Sequence, residues 1–177
     1  WTSNRDAMAA GIGYVPEDRL NNGLIMDQSI VDNLTVTTIL EFINKFNLII
    51  DAQRLKAFDA KVKDLGIKAN MPDVAVKTLS GGNQQKIVLS KWLLVNPKVL
   101  ILDEPTIGID VIAKSSIHSL IKSLAEKGMS IIIISAEVQE VLNNCHRVFV
   151  MRNGRFVCEF KPDEITADEL LEGYNLA

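Results

Sequence analysis

Two adjacent acids, Asp103 and Glu104, end a run of apolar residues in "VLILDEP". Ligand sites of parallel α/β sheets lie at the carboxyl ends of the strands, which is where these acids would stand. One carboxylate at such an end can bind Mg²⁺, which prefers oxygen ligands and keeps part of its hydration shell. The other can orient or deprotonate an attacking water. The alternative is a pair of acids that only caps the following loop.

The second candidate for chemistry is the stretch "LSGGNQQK", residues 79–86. Ser80 can cap the helix that follows, while Gly81 and Gly82 let backbone amides approach an anion closely. The N-terminus of that helix adds a dipole that favours phosphate. The alternative is a glycine loop that leads into a capped helix and binds no ligand, which would contain the same residues. The interpretation as a phosphate site gains weight because one helix and one strand lead from this turn to the two acids.

The elements that must position these residues alternate between strand and helix. Each predicted strand is a continuous run of apolar, mostly branched residues, which is typical of a parallel sheet covered on both faces. Strands are predicted at about 11–16, 99–105 and 130–135, and helices at about 83–95, at 112–127 and from 137 onward.

Two further regions have their own patterns. Apolar residues recur at helical spacing from 30 to 71, which predicts a small helical subdomain of two or three helices. Residues 147–160 predict a hairpin that turns at Asn153–Gly154, and a last helix is predicted at about 166–172.

The composition is that of a globular domain with a real core. The chain has 177 residues, 47% apolar and 23% charged, with a net charge of −3, so no general attraction to nucleic acid is indicated. Cys145 and Cys158 lack metal-ligand spacing and predict no disulfide framework, which favours a reducing cytosol. No apolar run approaches the roughly 20 residues of a membrane span, and no signal peptide is visible.

Taken together, "LSGGNQQK", "VLILDEPTIGID" and "SIIIISAE" resemble the ATPase of ABC transporters. The Asn after the glycines and the "PTxGxD" after the acids are similar to bacterial sugar-import ATPases of the ribose, galactose and xylose kind. "GYVPEDR" followed by "GLI" resembles the start of the second ATPase domain of those duplicated proteins. The resemblance implies an α/β fold, namely a partial RecA-like P-loop NTPase with a three-layer parallel sheet and a small helical subdomain.

The resemblance also implies roles for residues at matching positions. Asp103 matches the Walker B ligand of Mg²⁺, and Glu104 matches the catalytic base. Asp110 matches the D-loop acid that communicates across the ATPase dimer, and Glu17 stands at the Q-loop position. The signature motif, which contacts the γ-phosphate of ATP held by the opposite domain, corresponds to Leu79, Ser80, Gly81, Gly82 and Asn83, with Gln84 added as a cofactor-binding residue.

As a domain, the chain is expected to be one truncated ABC ATPase domain over 1–177. Its parts are the Q-loop strand and loop at 1–29, the helical subdomain at 30–78, and the signature, Walker B and C-terminal α/β part at 79–177. The expected partners are transmembrane permease subunits, a second ATPase domain in a head-to-tail dimer and, indirectly, a periplasmic sugar-binding protein, with no nucleic acid. The expected location is cytoplasmic, peripheral on the inner face of the membrane.

The resemblance to ABC ATPases allows two interpretations of the apolar residues at 39–50. The favoured one places most of them in the core of the helical subdomain. The alternative places them on the surface that docks onto the permease.

The sequence departs from the family pattern in three places. Glu17 replaces the Q-loop glutamine, and Ala136 stands where a switch histidine is expected. No G-x-x-x-x-G-K-[ST] occurs; this P-loop is expected before Trp1, in a longer protein, with its strand beside "VLILD". The 177 residues alone are therefore expected to bind ATP very weakly, to hydrolyse none, and to self-associate or rearrange to cover an exposed sheet surface.

Three functions remain open at this point. The first is an ATPase that energises sugar import. The second is a non-catalytic domain that supplies the signature motif to its partner's ATP, which Glu17 and Ala136 favour. The third is a soluble ABC protein of DNA repair or translation, which the lack of coiled-coil or basic insertions disfavours.

Overall fold

A computed structural model describes residues 2–69 and 71–170, in which three strands form the main sheet. The strands are β1 (Ile12–Val15), β2 (Val99–Asp103) and β3 (Ser130–Ile134), in the order β1-β2-β3. β1 and β2 are parallel, with Ile12 opposite Val99 and Val15 opposite Leu102. The predicted strands and the parallel arrangement of this pair are confirmed.

The central position of β2 corrects one expectation. A further strand beside "VLILD" has no place there, because β1 and β3 occupy both edges of β2. The expectation that 130–135 is a buried strand is also wrong, since Ile132 and Ile134 are 51% and 48% exposed. A run of isoleucines predicts burial, but β3 lies at the edge of the described sheet.

The core that supports the candidate site lies between this sheet and the helix α4 (Gly81–Leu94). Val15, Leu100 and Leu102 of the strands are fully buried, as are Ile87, Val88 and Leu89 of the helix. The close approach of α4 to the strands requires glycine at position 13 of β1. A Cβ on Gly13 would lie 3.0 Å from Leu100 Cδ1 and 3.5 Å from Trp92 Cβ. Burial of each such aliphatic side chain contributes about 1.5–3 kcal/mol, so this packing holds α4 firmly against the strands.

The remaining helices of the first unit frame this core. α1 (Asn4–Ala9) precedes β1, and α5 (Val111–Glu126) joins β2 to β3. The region 30–71 contains α2 (Ile30–Thr35), a 3₁₀ segment (Val36–Phe42) and α3 (Asp51–Asp64). Helices are confirmed in this region, while its extent as a subdomain over 30–78 stays a prediction.

The apolar residues of 39–50 are not core, contrary to the favoured interpretation. Leu40, Phe46 and Leu48 are each more than 60% exposed, and Ile49 is about half exposed. The chain leaves the helical path here, with Asn47 at a φ of 60° and a short bridge between Ile43 and Ile49. A loop that turns back on itself presents its side chains outward, whereas helical spacing would have buried one stripe of them.

The structure divides into two compact units, residues 1–132 and 133–177. The second contains α6 (Val138–Asn144) and the hairpin of β4 (Val148–Arg152) and β5 (Arg155–Phe160). The predicted hairpin is confirmed, and its turn has positive φ at both Asn153 and Gly154. Of the last helix, predicted at about 166–172, residues 167–170 are helical, Thr166 comes just before them, and 171–172 lie outside the described residues.

The structure also describes the two cysteines and the length and apolar character of the helices. Cys145 and Cys158 are free thiols, as the sequence predicted. Within residues 2–69 and 71–170, no helix has the length and apolar character needed to cross a membrane.

Candidate nucleotide site

The glycine turn forms the first turn of α4. Ser80 stands at the N-cap position with extended backbone, and the helix begins at Gly81, two residues earlier than the sequence predicted. The predicted side-chain cap is wrong, because the Ser80 hydroxyl bonds no helix amide and instead accepts from Asn83 Nδ2 at 2.9 Å. The first amides of a helix have no intrahelical acceptor, so this end of α4 is suited to an anion.

Two side chains predicted to contact the cofactor also form hydrogen bonds within and beside this turn. Asn83 Oδ1 accepts from the Lys68 amide at 2.8 Å, so Asn83 joins the turn to the residues after α3. Gln84 is buried, and its Nε2 donates to the Leu79 carbonyl at 3.1 Å. The side-chain amides of Asn83 and Gln84 therefore stabilise the shape of the turn. The backbone N–H groups of the turn are the donors suited to an anion.

The loop before α5 and the first turn of α5 lie directly against the two glycines, and glycine is required at position 82. A Cβ on Gly82 would lie 2.4 Å from the Cβ of Ala113, closer than real Cβ contacts allow. A Cβ on Gly81 would lie 3.4 Å from the carbonyl oxygen of Gly108 and 3.5 Å from a side-chain carbon of Ile109. The signature turn thus packs onto "TIGID" and the start of α5, so the two motifs occupy one surface.

Asp110, the predicted D-loop acid, is the N-cap of α5. Its Oδ1 accepts from the Ala113 amide at 2.9 Å, and the residue is exposed. Because Ala113 also lies against Gly82, the cap and the signature turn share one neighbour. Asp110 therefore has a structural role beside the one that the sequence predicted.

Asp103 ends β2 and has a partner that the sequence analysis missed. The hydroxyl of Tyr14 donates to Asp103 Oδ2 at 2.7 Å. The hydrogen bond to this carboxylate, with desolvation second, raises the pKa of Tyr14 above its usual range. Tyr14 stands opposite Ile101 in the parallel pair, so Tyr14 and Asp103 share one face of the sheet. The alternation of side chains along a strand could have indicated this pair, but only if the register between β1 and β2 had been known.

Glu104 follows Asp103 at a sharp change of direction. Its φ is 45°, in the left-handed region that non-glycine residues rarely adopt, and its carbonyl accepts from the Ile107 amide at 3.2 Å. Such conformations have a free-energy cost of about 1–3 kcal/mol and cluster at functional sites. The backbone therefore leaves the strand direction at Glu104, directly after the end of β2.

Glu17, placed by the sequence at the Q-loop, is exposed just after β1. It lines a surface hollow of about 480 Å³ together with Asp18, Arg19, Leu20, Ile107 and Gly108. The Q-loop position and the loop after the acids therefore face the same hollow. Ala136 lies in the second unit, between β3 and α6, so its predicted place at the switch position stays a prediction.

The oxygen ligands at the end of β2 fit a Mg²⁺ ion that is bound together with a nucleotide. Among residues 2–69 and 71–170, no cluster of three or more His, Cys, Asp or Glu side chains could form a protein-only metal site. Mg²⁺ bound with nucleotides usually takes one or two carboxylates, with phosphates and water completing its shell. The Asp103 carboxylate at the strand end is suited to that role.

Solved structures define the class of protein. cbiO1 of Clostridium perfringens, part of the ABC transporter complex cbiONQ, gives a TM-score of 0.73 at 29% identity and covers 98% of this chain and 67% of that one. A dimeric ATP-binding cassette in a post-hydrolysis state, bound to ADP and Pi, gives 0.74 at 20% identity over 90% of this chain and 68% of that one. The predicted fold class, a partial ABC ATPase cassette, is confirmed.

Sequence comparison gives the family. The profile described as "ABC transporter" matches residues 2–107, and the chain belongs to this family. The xylose import ATP-binding protein XylG of Geobacillus kaustophilus is 43% identical over 166 residues, which are 94% of this chain and 33% of that protein. The ribose import ATP-binding protein RbsA of Chelativorans sp. is 44% identical over 167 residues, with the same coverages. The chain spans about a third of the length of these relatives.

Proposed function

We propose that this chain is part of an ATP-binding and ATP-hydrolysing subunit that energises carbohydrate import through an ABC transporter. The observation that carries the proposal is the packing of the signature turn, at Gly81 and Gly82, against Gly108 and Ala113. This contact brings a donor-rich helix N-terminus and the loop after an Asp-Glu strand end onto one surface. The sugar-import relatives support carbohydrate as the cargo.

The proposed roles follow from the chemistry of the groups. Backbone amides at Ser80, Gly81 and Gly82 would bind the γ-phosphate of ATP held by a second ATPase domain in a head-to-tail dimer. Asp103 would hold Mg²⁺, which neutralises phosphate charge when bound. Glu104 would accept a proton from the attacking water. Positioning and charge neutralisation supply most of the rate in phosphoryl transfer, so the contribution of this chain is a fixed geometry.

The exposed apolar loop supports the proposed partners. Leu40, Phe46, Leu48 and Ile49 are exposed apolar residues within ten positions of one another in the predicted helical subdomain. We propose that this group docks onto a transmembrane permease subunit, which places the protein on the cytoplasmic face of the membrane. A periplasmic sugar-binding protein would act only indirectly, through the permease.

A second function is a cassette that binds ATP and supplies its signature without hydrolysing its own nucleotide. Glu17 in the hollow after β1 adds negative charge, and Ala136 lacks a group that can stabilise transition-state charge. Glu104 favours the hydrolytic version. We also propose that residues 1–177 alone, which contain no lysine-bearing P-loop sequence, do not turn over ATP. Mg²⁺-dependent hydrolysis by the purified chain would contradict that proposal.

Single-turnover hydrolysis with Glu104→Gln, in a preparation that carries the complete cassette pair and permease, distinguishes the two functions. The hydrolytic function predicts a fall in rate of about 100-fold or more, because a general base contributes about 10²–10⁴. The matched control is Glu126→Gln at an exposed position in α5. An unchanged rate with bound ATP would support the non-catalytic function, and no ATP binding at all would contradict both.

A further inference from the structure

The chain after β1 forms a five-residue π-helix, Arg19–Gly23, which neither phosphate motif explains. The Asp18 carboxylate caps this turn and accepts from the amides of Leu20 and Asn21, each at 3.1 Å. π-helical turns are rare and occur frequently at functional sites. Both ends of this turn bind other parts of the candidate nucleotide site.

The first end is bound to the loop after the acids. Arg19 Nη1 donates to the Ile107 carbonyl at 2.7 Å, and Nη2 donates to the Gly108 carbonyl at 3.1 Å. The same Nη2 lies 3.0 Å from the position that a Cβ on Gly81 would take. The planar guanidinium therefore fills the space between the signature turn and the loop after the acids, and it bonds two successive carbonyls.

The orientation of Arg19 has a free-energy cost, which arises at its Nε. Its Nε is buried and has no hydrogen-bond partner among the described residues. An unpaired buried donor is unfavourable by about 1–3 kcal/mol. The two bonds to the loop carbonyls are the hydrogen bonds that can offset this cost.

The second end of the turn is bound to α4. The Gly23 carbonyl accepts from Nζ of the buried Lys91, and a Cβ on Gly23 would lie 3.2 Å from Val88 Cγ2. Val88 and Lys91 belong to the helix whose N-terminus is the signature turn. The π-turn is therefore held by α4 at one end and by the loop after the acids at the other.

We propose that Arg19 is a positioning residue, which holds the loop Ile107–Gly108 on the signature turn so that both are presented to the nucleotide as one rigid surface. This inference rests on the proposed function. Arg19 acts through the loop carbonyls and does not bind the nucleotide. Loss of the two bonds would leave Gly81 and Gly108 in contact but free to shift, and small displacements of positioned groups can reduce rates by about 10²-fold.

The test measures ATP turnover in the complete cassette pair with Arg19→Gln, Arg19→Lys and the exposed control Arg5→Gln. We expect Arg19→Gln to lower kcat about tenfold or more with KM for ATP changed by less than about twofold, because positioning is lost while binding is kept. Arg19→Lys should recover less than half of the rate, since one ammonium cannot bridge two carbonyls as a fork does. Arg5→Gln should match the wild type.

A second measurement needs no hydrolysis. Hydrogen exchange of the amides at 107–110 should be faster in Arg19→Gln than in the wild type, with exchange in the helical subdomain unchanged. A raised KM with unchanged kcat, or unchanged exchange at 107–110, would overturn the proposal, as would full rescue by lysine. If the wild type binds and hydrolyses no ATP but exchange still responds to Arg19→Gln, the proposed function fails and the positioning role stands.

Discussion

Tyr14 and Asp103 are 89 positions apart in the sequence, and the tyrosine hydroxyl donates to the carboxylate at 2.7 Å across neighbouring parallel strands. The acid that is proposed to hold Mg²⁺ therefore has one of its two oxygens already oriented by the sheet. Groups that bond to metal ligands fix their orientation and tune their basicity. This relationship makes Tyr14 a part of the site that can be tested directly.

Replacing Tyr14 with Phe should free the Asp103 carboxylate and leave the fold intact. A hydrogen bond to a charged group contributes about 1.5–3 kcal/mol when buried, and this exposed one contributes less. We expect a several-fold rise in the Mg²⁺ concentration that supports half-maximal ATP turnover in the complete cassette pair. An unchanged Mg²⁺ dependence would show that the tyrosine has no influence on the metal ligand.

The raised pKa of Tyr14 can be measured by its ultraviolet titration. The wild type should contain a tyrosine that ionises above the ordinary value of 10.0, and Asp103→Asn should lower that pKa. Tyr14→Phe assigns the signal, because the chain has only two tyrosines. Since the folded pKa is raised, the linked stability is present below the unfolded pKa and is lost as the pH rises through the folded value.

Gly82→Ala should destabilise the chain through steric conflict with Ala113. The added Cβ would lie 2.4 Å from another Cβ, and overpacking of this kind reduces the free energy of unfolding by about 1–3 kcal/mol. Urea denaturation measures the effect. Gly81→Ala is the matched comparison and should have a smaller effect, because the nearest atom to its added Cβ would lie at 3.0 Å rather than 2.4 Å.

A double variant separates this conflict from backbone effects. Ala113→Gly removes the opposing methyl group, so Gly82→Ala together with Ala113→Gly should lose less stability than the sum of the single changes. Additive losses would show that the contact between these two residues is not the cause.

Substitutions of Asp110 separate its cap from its proposed signal across the dimer. Asp110→Ala removes the acceptor for the Ala113 amide and should lower the free energy of unfolding by about 1 kcal/mol. Asp110→Ser keeps a capping oxygen and should be nearly neutral in the same denaturation experiment. If the carboxylate also acts across the dimer, both variants should lower ATP turnover, whereas full activity of Asp110→Ser would limit Asp110 to capping.

Lys91 should make stability depend on pH in the alkaline range. Burial lowers its pKa from 10.5 to about 8, so the unfolded chain binds more protons than the folded chain between these values. The free energy of unfolding should therefore rise with pH across that window, by up to about 3 kcal/mol, since each pKa unit corresponds to about 1.4 kcal/mol.

Lys91→Met isolates this contribution. The variant should lack the rise between pH 8 and 10.5 in parallel urea titrations, while the exposed control Lys122→Met should keep it. The bond to the Gly23 carbonyl survives loss of the proton, because a neutral amine still donates. An identical pH profile for the wild type and Lys91→Met would contradict the assignment.

Local patterns were sufficient for most elements of the fold. The apolar run that ends at Asp103 predicted β2, helical spacing predicted helices between 30 and 71, and Asn153–Gly154 predicted the hairpin turn. These features depend on propensity and on residues that are close in sequence. Two local predictions failed because they depended on the surroundings: β3 is an exposed edge strand, and the apolar residues of 39–50 are not buried.

The sequence by itself determined which groups are present and which backbone conformations they favour, namely a donor-rich turn at Gly81–Gly82 and an acid pair at Asp103–Glu104. Only the tertiary structure decided what those groups contact. The bonds from Tyr14 to Asp103 and from Arg19 to Ile107 join positions 89 and 88 residues apart. Local periodicity contains no information about strand register or about the path of a π-turn, so packing alone sets these contacts.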